Sequence, residues 1–445
     1  MSRIASTRAS SFSSGWSLLL CQALLFSQSL FFCEVTALSA EDWARFRGPN
    51  GSGISNETVP TTWSDTENLK WKTPLPGYGS SSPIIVGDKV FVTCYSGYGT
   101  EGGGNQENLR RHLVCVNRVD GKILWDKTVN AILPEDDAQG FLNEHGYASS
   151  TPTSDGERVY VFYGKSGALA YDLEGNQLWQ VSLGTQSSNR RWGSAASPIL
   201  YQDLVIINAS EESLAIYALD KKTGEVKWKS PGDTLELSYS TPILVEQPNG
   251  KTELVVQVAN EVWGLNPENG KLKWFAQVPV PGNASPSAVA HDGVVYVTGG
   301  RGGGSAAVKT GGRGDVTATH VVWTSNQGSY VPSPVVHDGK LYWVDEKGLA
   351  VCLDAATGKE VYRQRIRGNE DFRGNAFYSS VGLIGDKLYA VSRRAGTFVY
   401  APGEKFEQLA QNQFADDATD ANASPAVCGG NLFIRTNKYL YCVGK

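Results

Sequence analysis

A histidine acts as a general base when a nucleophile or carboxylate stands beside it. Of the five histidines in the chain, His145, in "NEHGY", is the one of most interest, since His291 and His337 sit in equivalent "HDG" turns and read as structural. No nucleophile or carboxylate is placed next to His145 by a recognisable motif, so it points to binding sooner than to catalysis. The acidic groups Glu135-Asp136-Asp137, Glu370-Asp371 and Asp416-Asp417 lack the alternating oxygen-ligand spacing of a calcium loop and read as solvated loop charge. "GGRGGGS" at 299–305 has no following Lys-Ser/Thr and so is no phosphate cradle, and "RGD" at 313–315 reads as chance in a Gly-rich turn. No CxxC or Cys/His metal spacing occurs.

The elements that would position these side chains form a repeat. "HLVCVNRVDGKILW", "AIYALDKKTGEVKW", "EVWGLNPENGKLKW" and "LAVCLDAATGKEVY" align on a final aromatic, Trp125, Trp228, Trp274 or Tyr362. Glycine stands four before it (Gly121, Gly224, Gly270, Gly358), Asp or Asn eight before (Asn117, Asp220, Asn266, Asp354), and a small residue ten before (Cys115, Ala218, Gly264, Cys352). The Asx side chain starts a turn, glycine supplies positive φ, and the aromatic needs a large buried surface. The small residue suits a place where another sheet packs closely.

A second marker, Ser-Pro or a near relative, precedes each turn: Ser82-Pro83, Thr151-Pro152, Ser197-Pro198, Thr241-Pro242, Ser285-Pro286, Ser333-Pro334, Ser380-Val381 and Ser424-Pro425. Eight units of four short strands predict an all-β, eight-bladed β-propeller of antiparallel blades. After Ser424-Pro425 there is room for only three strands, so the segment near Trp71 is expected to complete the last blade and join the chain ends.

In such blades the long insertions 95–111, 130–147, 184–194, 367–375 and 412–422 fall on one face, with tight turns on the other. Residues just before each innermost strand should ring the channel mouth on the loop-rich face: Tyr78, His145, Tyr147, Trp192, Tyr239, Asn283, Tyr330, Asn375 and Asn422, with Arg191 and Arg373 from the adjoining loops. Aromatics and amides around a mouth suit a sugar, a peptide or a planar ligand. Trp192 departs from the rule that places Trp71, Trp125, Trp179, Trp228, Trp274 and Trp323 on outer strands, and so is the candidate for stacking.

Composition agrees: 49 Gly, 12 Trp and 19 Tyr supply turns and strand aromatics, while a net charge of −5 and no basic run beyond Arg-Arg argue against nucleic acid. Residues 1–37, with Arg3, Arg8 and an apolar stretch to Phe32, read as a secretory signal cleaved as late as 40. Residues 38–65 form a leader and 66–445 the propeller. The apolar stretch is interrupted by Ser and Gln and is short for a bilayer span, and neither Cys21 nor Cys33 follows a small residue as in a lipoprotein signal. A periplasmic or secreted protein with no stable membrane span is expected. Cys94, Cys115, Cys352, Cys428 and Cys442 remain; two bridges, Cys94–Cys115 and Cys428–Cys442, are conceivable, but a shared repeat position explains Cys115, Cys352 and Cys442 as small packing residues.

The frame "D-x-x-T-G-x-x-x-W" at Asp220 to Trp228 resembles the repeats of pyrroloquinoline-quinone-type propellers. These include the quinoprotein alcohol dehydrogenases and the non-catalytic propeller of the bacterial outer-membrane assembly machine. "DWARFRGPNGSG", 42–53, is similar to the leader of exported bacterial propellers of this type without assigned activity. The dehydrogenases carry adjacent cysteines, calcium ligands and a catalytic Asp; no Cys-Cys pair occurs here, and no segment accepts the other ligands residue by residue. The resemblance therefore implies a binding or assembly propeller with no cofactor, its partner an envelope protein or a small ligand. The alternative it leaves is a dehydrogenase using pyrroloquinoline quinone with calcium.

Overall fold

The computed structural model describes residues 42–300, 303–368 and 374–445. The signal segment, Arg373, Glu370 and Asp371 lie outside the described residues. Eight sheets follow one another along the chain, each with four antiparallel blade strands. Blade 1 spans 84–130, blade 2 153–181, blade 3 199–231, blade 4 243–277, blade 5 289–325, blade 6 335–365 and blade 7 382–412. Blade 8 takes three strands from 426–443 and its outermost from Leu69–Pro74, which runs antiparallel to Tyr439–Val443. The longest helix among the described residues is Gly140–His145, six residues, and no described helix is long and apolar enough to cross a membrane.

Turn chemistry explains the frame. The Asp220 carboxylate accepts from the backbone of Lys222 and Thr223, both at 3.0 Å, and Asn117 and Asn266 start their turns the same way. Gly121, Gly224, Gly270 and Gly358 all have φ near +70°, the left-handed region. These glycines also make room for the preceding blade: a Cβ on Gly270 would lie 2.4 Å from the Trp228 ring, and one on Gly224 2.8 Å from Trp179. The indole N–H then crosses the seam, from Trp228 to the Pro267 carbonyl at 3.0 Å and from Trp179 to that of Lys221 at 3.1 Å.

The small residue ten before the aromatic has a different reason from close sheet stacking. It lies directly across the strand pair from the ring, Cys115 opposite Trp125, Ala218 opposite Trp228, Gly264 opposite Trp274 and Cys352 opposite Tyr362. The ring folds down over it, and a Cβ on Gly264 would meet Trp274 at 2.0 Å. All five described cysteines are buried free thiols; Cys94 faces His112 across the strands while Cys115 faces Phe91.

The Ser-Pro marker resolves into a closed circle of hydrogen bonds around the channel. Each blade's hydroxyl accepts the backbone N–H of the preceding blade's hydroxyl residue: Ser82 to Thr151, Thr151 to Ser197, Ser197 to Thr241 and Thr241 to Ser287, at 2.9–3.0 Å. The circle continues from Ser287 to Ser333, Ser333 to Ser380 and Ser380 to Ser424, and Ser424 returns to Ser82 at 3.0 Å. In blade 5 the member is Ser287, not the Ser285 of the Ser-Pro pair. Proline marks extended entry into the strand, but the hydroxyl at circle height is what the fold holds fixed. Ser380, which has no proline after it, keeps its place for the same reason.

Residues 42–55 pack against the tight-turn side of the blades, and 61–65 run out to Asn412 and Ala415 at the end of blade 7. Trp43 bridges to Ile85, Arg45 donates to the Pro242 carbonyl, Asn50 exchanges two hydrogen bonds with Leu244, and Ile54–Ser55 pairs in parallel with blade 7. Arg47, 2% exposed, donates to the Pro334 carbonyl at 2.5 Å, and burial pushes its guanidinium down to about 9. "RGD" also finds a structural place: Gly314–Asp315 pairs in parallel with Trp274 and Phe275 on the outer edge of blade 4.

Candidate functional site: a chamber in the central channel

Two levels of side chain line a central cavity of about 150 Å³. The lower level is the hydroxyl circle. The upper consists of the residues two positions earlier in each blade, among them Ser80, Ser149, Tyr239, Ser285, Tyr378 and Asn422. Phe46, from the leader, also reaches the cavity from the tight-turn side. At the loop-rich end the 130–147 insertion folds into Gly140–His145 and lays Phe141 among three rings, 4.7 Å from Trp192, 5.5 Å from Tyr330 and 6.3 Å from Tyr378. The channel is thus a chamber with Phe46 at one end and Phe141 at the other.

Of the residues expected at the mouth, His145, Trp192, Tyr239, Asn283, Tyr330 and Asn422 line this chamber. Tyr147 does not: it is buried to one side, edge-on to Tyr95 at 5.4 Å with its hydroxyl donating to the Asp136 carbonyl at 2.6 Å. Arg191 is exposed in a turn at φ 53°, and it is Arg190 whose guanidinium lies over the Trp192 ring, at 5.8 Å. Asn375 stands behind the wall, donating to the Tyr378 hydroxyl at 2.8 Å. Sequence reasoning missed Phe141, Ser149, Tyr378 and Phe46. Counting two residues back from every hydroxyl of the circle finds Ser149 and Tyr378, whereas the expected set mixed several offsets. Phe141-Leu142, an apolar pair in a polar insertion, was the signal for the lid.

His145 fastens that lid. Its Nε2 faces the Trp192 carbonyl at 2.8 Å, an acceptor only, so Nε2 carries the proton. Nδ1, 2.5 Å from Ser149 Oγ, then accepts from the hydroxyl. Burial opposes a charged ring and pushes the imidazole down to about 4. A serine donating to a histidine is half of a nucleophile–base arrangement. Here the other ring nitrogen ends on a backbone carbonyl, and a base with so low a pKa takes up little proton at neutral pH. Asn422 Nδ2 donates to the Glu144 carbonyl at 2.9 Å, and Arg393 pairs with Glu144 at 2.5 Å, adding two more ties between lid and blades.

Beside the chamber lies a small buried pocket with four carboxylates and two cations. Arg111 pairs with Glu135 at 2.7 Å and Lys165 with Asp136 at 3.4 Å. Glu211 accepts from the Tyr239 hydroxyl at 2.7 Å, while Glu212, 2% exposed, accepts from Ser194 through one oxygen and has no hydrogen-bond partner on the other. Burial first, then the neighbouring Glu211, pushes the Glu212 carboxyl up to about 7. Among the described residues no group of His, Cys, Asp and Glu converges to hold a metal ion.

Blade count, repeat frame and channel define an eight-bladed propeller of the pyrroloquinoline-quinone-like repeat type. Comparison with known proteins agrees. A family model described as outer membrane protein assembly factor BamB matches residues 107–236 and 312–375. The outer membrane protein assembly factor BamB of Yersinia pestis is 25% identical over 317 residues, 65% of this chain and 72% of that protein. Its counterpart from Alkalilimnicola ehrlichii is 30% identical over 200 residues, 42% of its length, and a polyvinylalcohol dehydrogenase of Pseudomonas sp is 22% identical over 279 residues, 40% of its length. The crystal structure of BamB from Moraxella catarrhalis shares the fold, with a TM-score of 0.58 at 13% identity over 84% of this chain and 99% of that one.

Proposed function

We propose that the protein is an exported, non-catalytic propeller of the bacterial envelope that docks a protein partner on its loop-rich face, as an assembly factor does. The observation that carries this reading is the lid. The largest insertions gather on one face, and one of them, 130–147, lays its own Phe141 over the channel mouth and is pinned by His145, Asn422 and Arg393. That leaves an elaborated outer surface above a channel mouth filled by the chain's own side chain, an arrangement suited to protein docking. Similarity to outer-membrane assembly factors supports the same class.

A quinone-dependent dehydrogenase is the competing reading, supported by similarity to a polyvinylalcohol dehydrogenase. The chamber residues fit that cofactor poorly. Among the described residues no charged side chain lines the chamber, and a tricarboxylic quinone brought against those walls would lose its hydration without a countercharge. The experiment is capture of detergent-solubilised outer-membrane β-barrel assembly proteins by the immobilised chain, beside a variant in which 132–144 is replaced by a Gly-Ser linker. Capture by the native chain and its loss in the variant are expected. Dye-linked alcohol oxidation after reconstitution with pyrroloquinoline quinone and calcium would overturn the reading.

A further inference from the structure

We infer that the chamber in the channel is a ligand site in its own right, built for one small neutral polyol, between a triol and a single six-membered hydroxylated ring in size. The inference does not rest on the docking function above, because it concerns the inside of the channel and not its outer face. Among the described residues its walls carry no charge: hydroxyls, amides, aromatic rings and a few aliphatic groups line it, and no ionised side chain does. A cation or an anion would enter without a partner, at a cost that neutral solutes avoid.

The two ends of the chamber differ in a way that matches a polyol. At the loop-rich end Phe141, Trp192, Tyr239 and Tyr378 present ring faces and edges, with Trp192 and Tyr239 6.0 Å apart. At circle height each hydroxyl already accepts a backbone N–H, which leaves its own O–H proton as a donor and a second lone pair as an acceptor. Asn422 adds a buried Oδ1 with no hydrogen-bond partner. A hydroxylated ring has C–H faces for the aromatics and edge hydroxyls for the circle.

Size sets the upper bound. About 150 Å³ is the volume that accepts one benzene ring in an apolar cavity, and filled with water it would hold roughly five molecules. A solute that replaces those waters with its own hydroxyls keeps their hydrogen bonds and releases them to bulk. Entry from the loop-rich end passes Phe141 and the segment that carries it. Gly140 and Gly146 bracket Gly140–His145 at φ 56° and 72°, positions where the backbone turns without a side chain to resist it.

Isothermal titration calorimetry and saturation-transfer NMR with glycerol, myo-inositol and glucose test the site, with glycerol 3-phosphate and choline as charged controls. Saturable binding of at least one polyol, no binding of the charged pair, and about tenfold weaker binding by Trp192→Ala are expected, the last from loss of one stacking wall. Phe141→Ala should speed exchange of the bound polyol and remains informative if Trp192→Ala does not fold. Absence of saturable binding for all three polyols overturns the inference. So does unchanged affinity and exchange in a folded Trp192→Ala or Phe141→Ala protein, or tighter binding of a charged control.

Discussion

The outer seams and the central chamber of this propeller are built on opposite rules. At the seams one solution is used again and again: an outer-strand tryptophan lies on the turn glycine of the next blade and donates its indole N–H across, as Trp71, Trp125, Trp179, Trp228 and Trp323 all do. In the chamber only the hydroxyl circle repeats. Two residues above it the eight positions hold serine, alanine, tyrosine, valine and asparagine in no regular order. Repetition marks what every blade needs in order to pack, and irregularity marks where a single object has to fit.

The largest effect expected from breaking the seams comes from removing residues 66–76. This takes Leu69–Pro74 and Trp71 out of blade 8 and exposes the edge of Tyr439–Val443. Loss of the cooperative thermal transition in calorimetry is expected; an unchanged transition would show that the outer strand of blade 8 is dispensable. Trp228→Ala comes next, with a loss of roughly 3–5 kcal/mol in denaturant unfolding, since it removes a buried ring and the bond to Pro267 together.

Two titrating groups near the chamber, one buried and one half-buried, sharpen the contrast through pH. Glu212 has a folded pKa near 7, above the ordinary 4.5, so the folded state holds more protons than the unfolded one between those values. Stability from this group is full below the lower value and falls as pH rises through 7, by on the order of 3 kcal/mol. Glu212→Gln should flatten the melting profile on that side. His145 runs the other way. Its folded value near 4 lies below 6.5, so its contribution is present above 6.5 and is lost as pH falls towards 4. His145→Gln should therefore lessen acid destabilisation, and melting temperatures from pH 4 to 8 would separate the two residues. The smallest expected effect on stability is that of Trp192→Ala, at most about 1–2 kcal/mol, because that ring is half-buried and crosses no seam. A loss equal to that of Trp228→Ala would make Trp192 a packing residue.

What the sequence made legible follows the same division. Asx, glycine and aromatic at fixed offsets identified the outer strands and their turns because each residue answers a local demand that recurs in every blade. The hydroxyl circle was largely visible: a following proline marked six of its members and Ser380-Val381 a seventh, while in blade 5 the proline points to Ser285 when Ser287 bears the bond. Six mouth residues were found because aromatics and amides before an innermost strand have few places to go. Phe46 and Phe141 were not, since each reaches the channel from a segment that belongs to no repeat. Tyr147 was misplaced for a related reason: two residues after His145, it turns away towards Asp136 and Tyr95.

The hydroxyl circle also acts as a gauge of circumference. Its eight links all run in the same sense, and each spans 2.9–3.0 Å. The distance from one blade to the next at that height is therefore held the same all the way round, and the total perimeter is a whole number of equal steps. A chain that gained or lost one repeat would have to reopen the loop and settle at a new radius, leaving a donor and an acceptor facing each other across the gap until it did. Blade number is in this sense counted by the backbone itself, independently of the tryptophans at the rim.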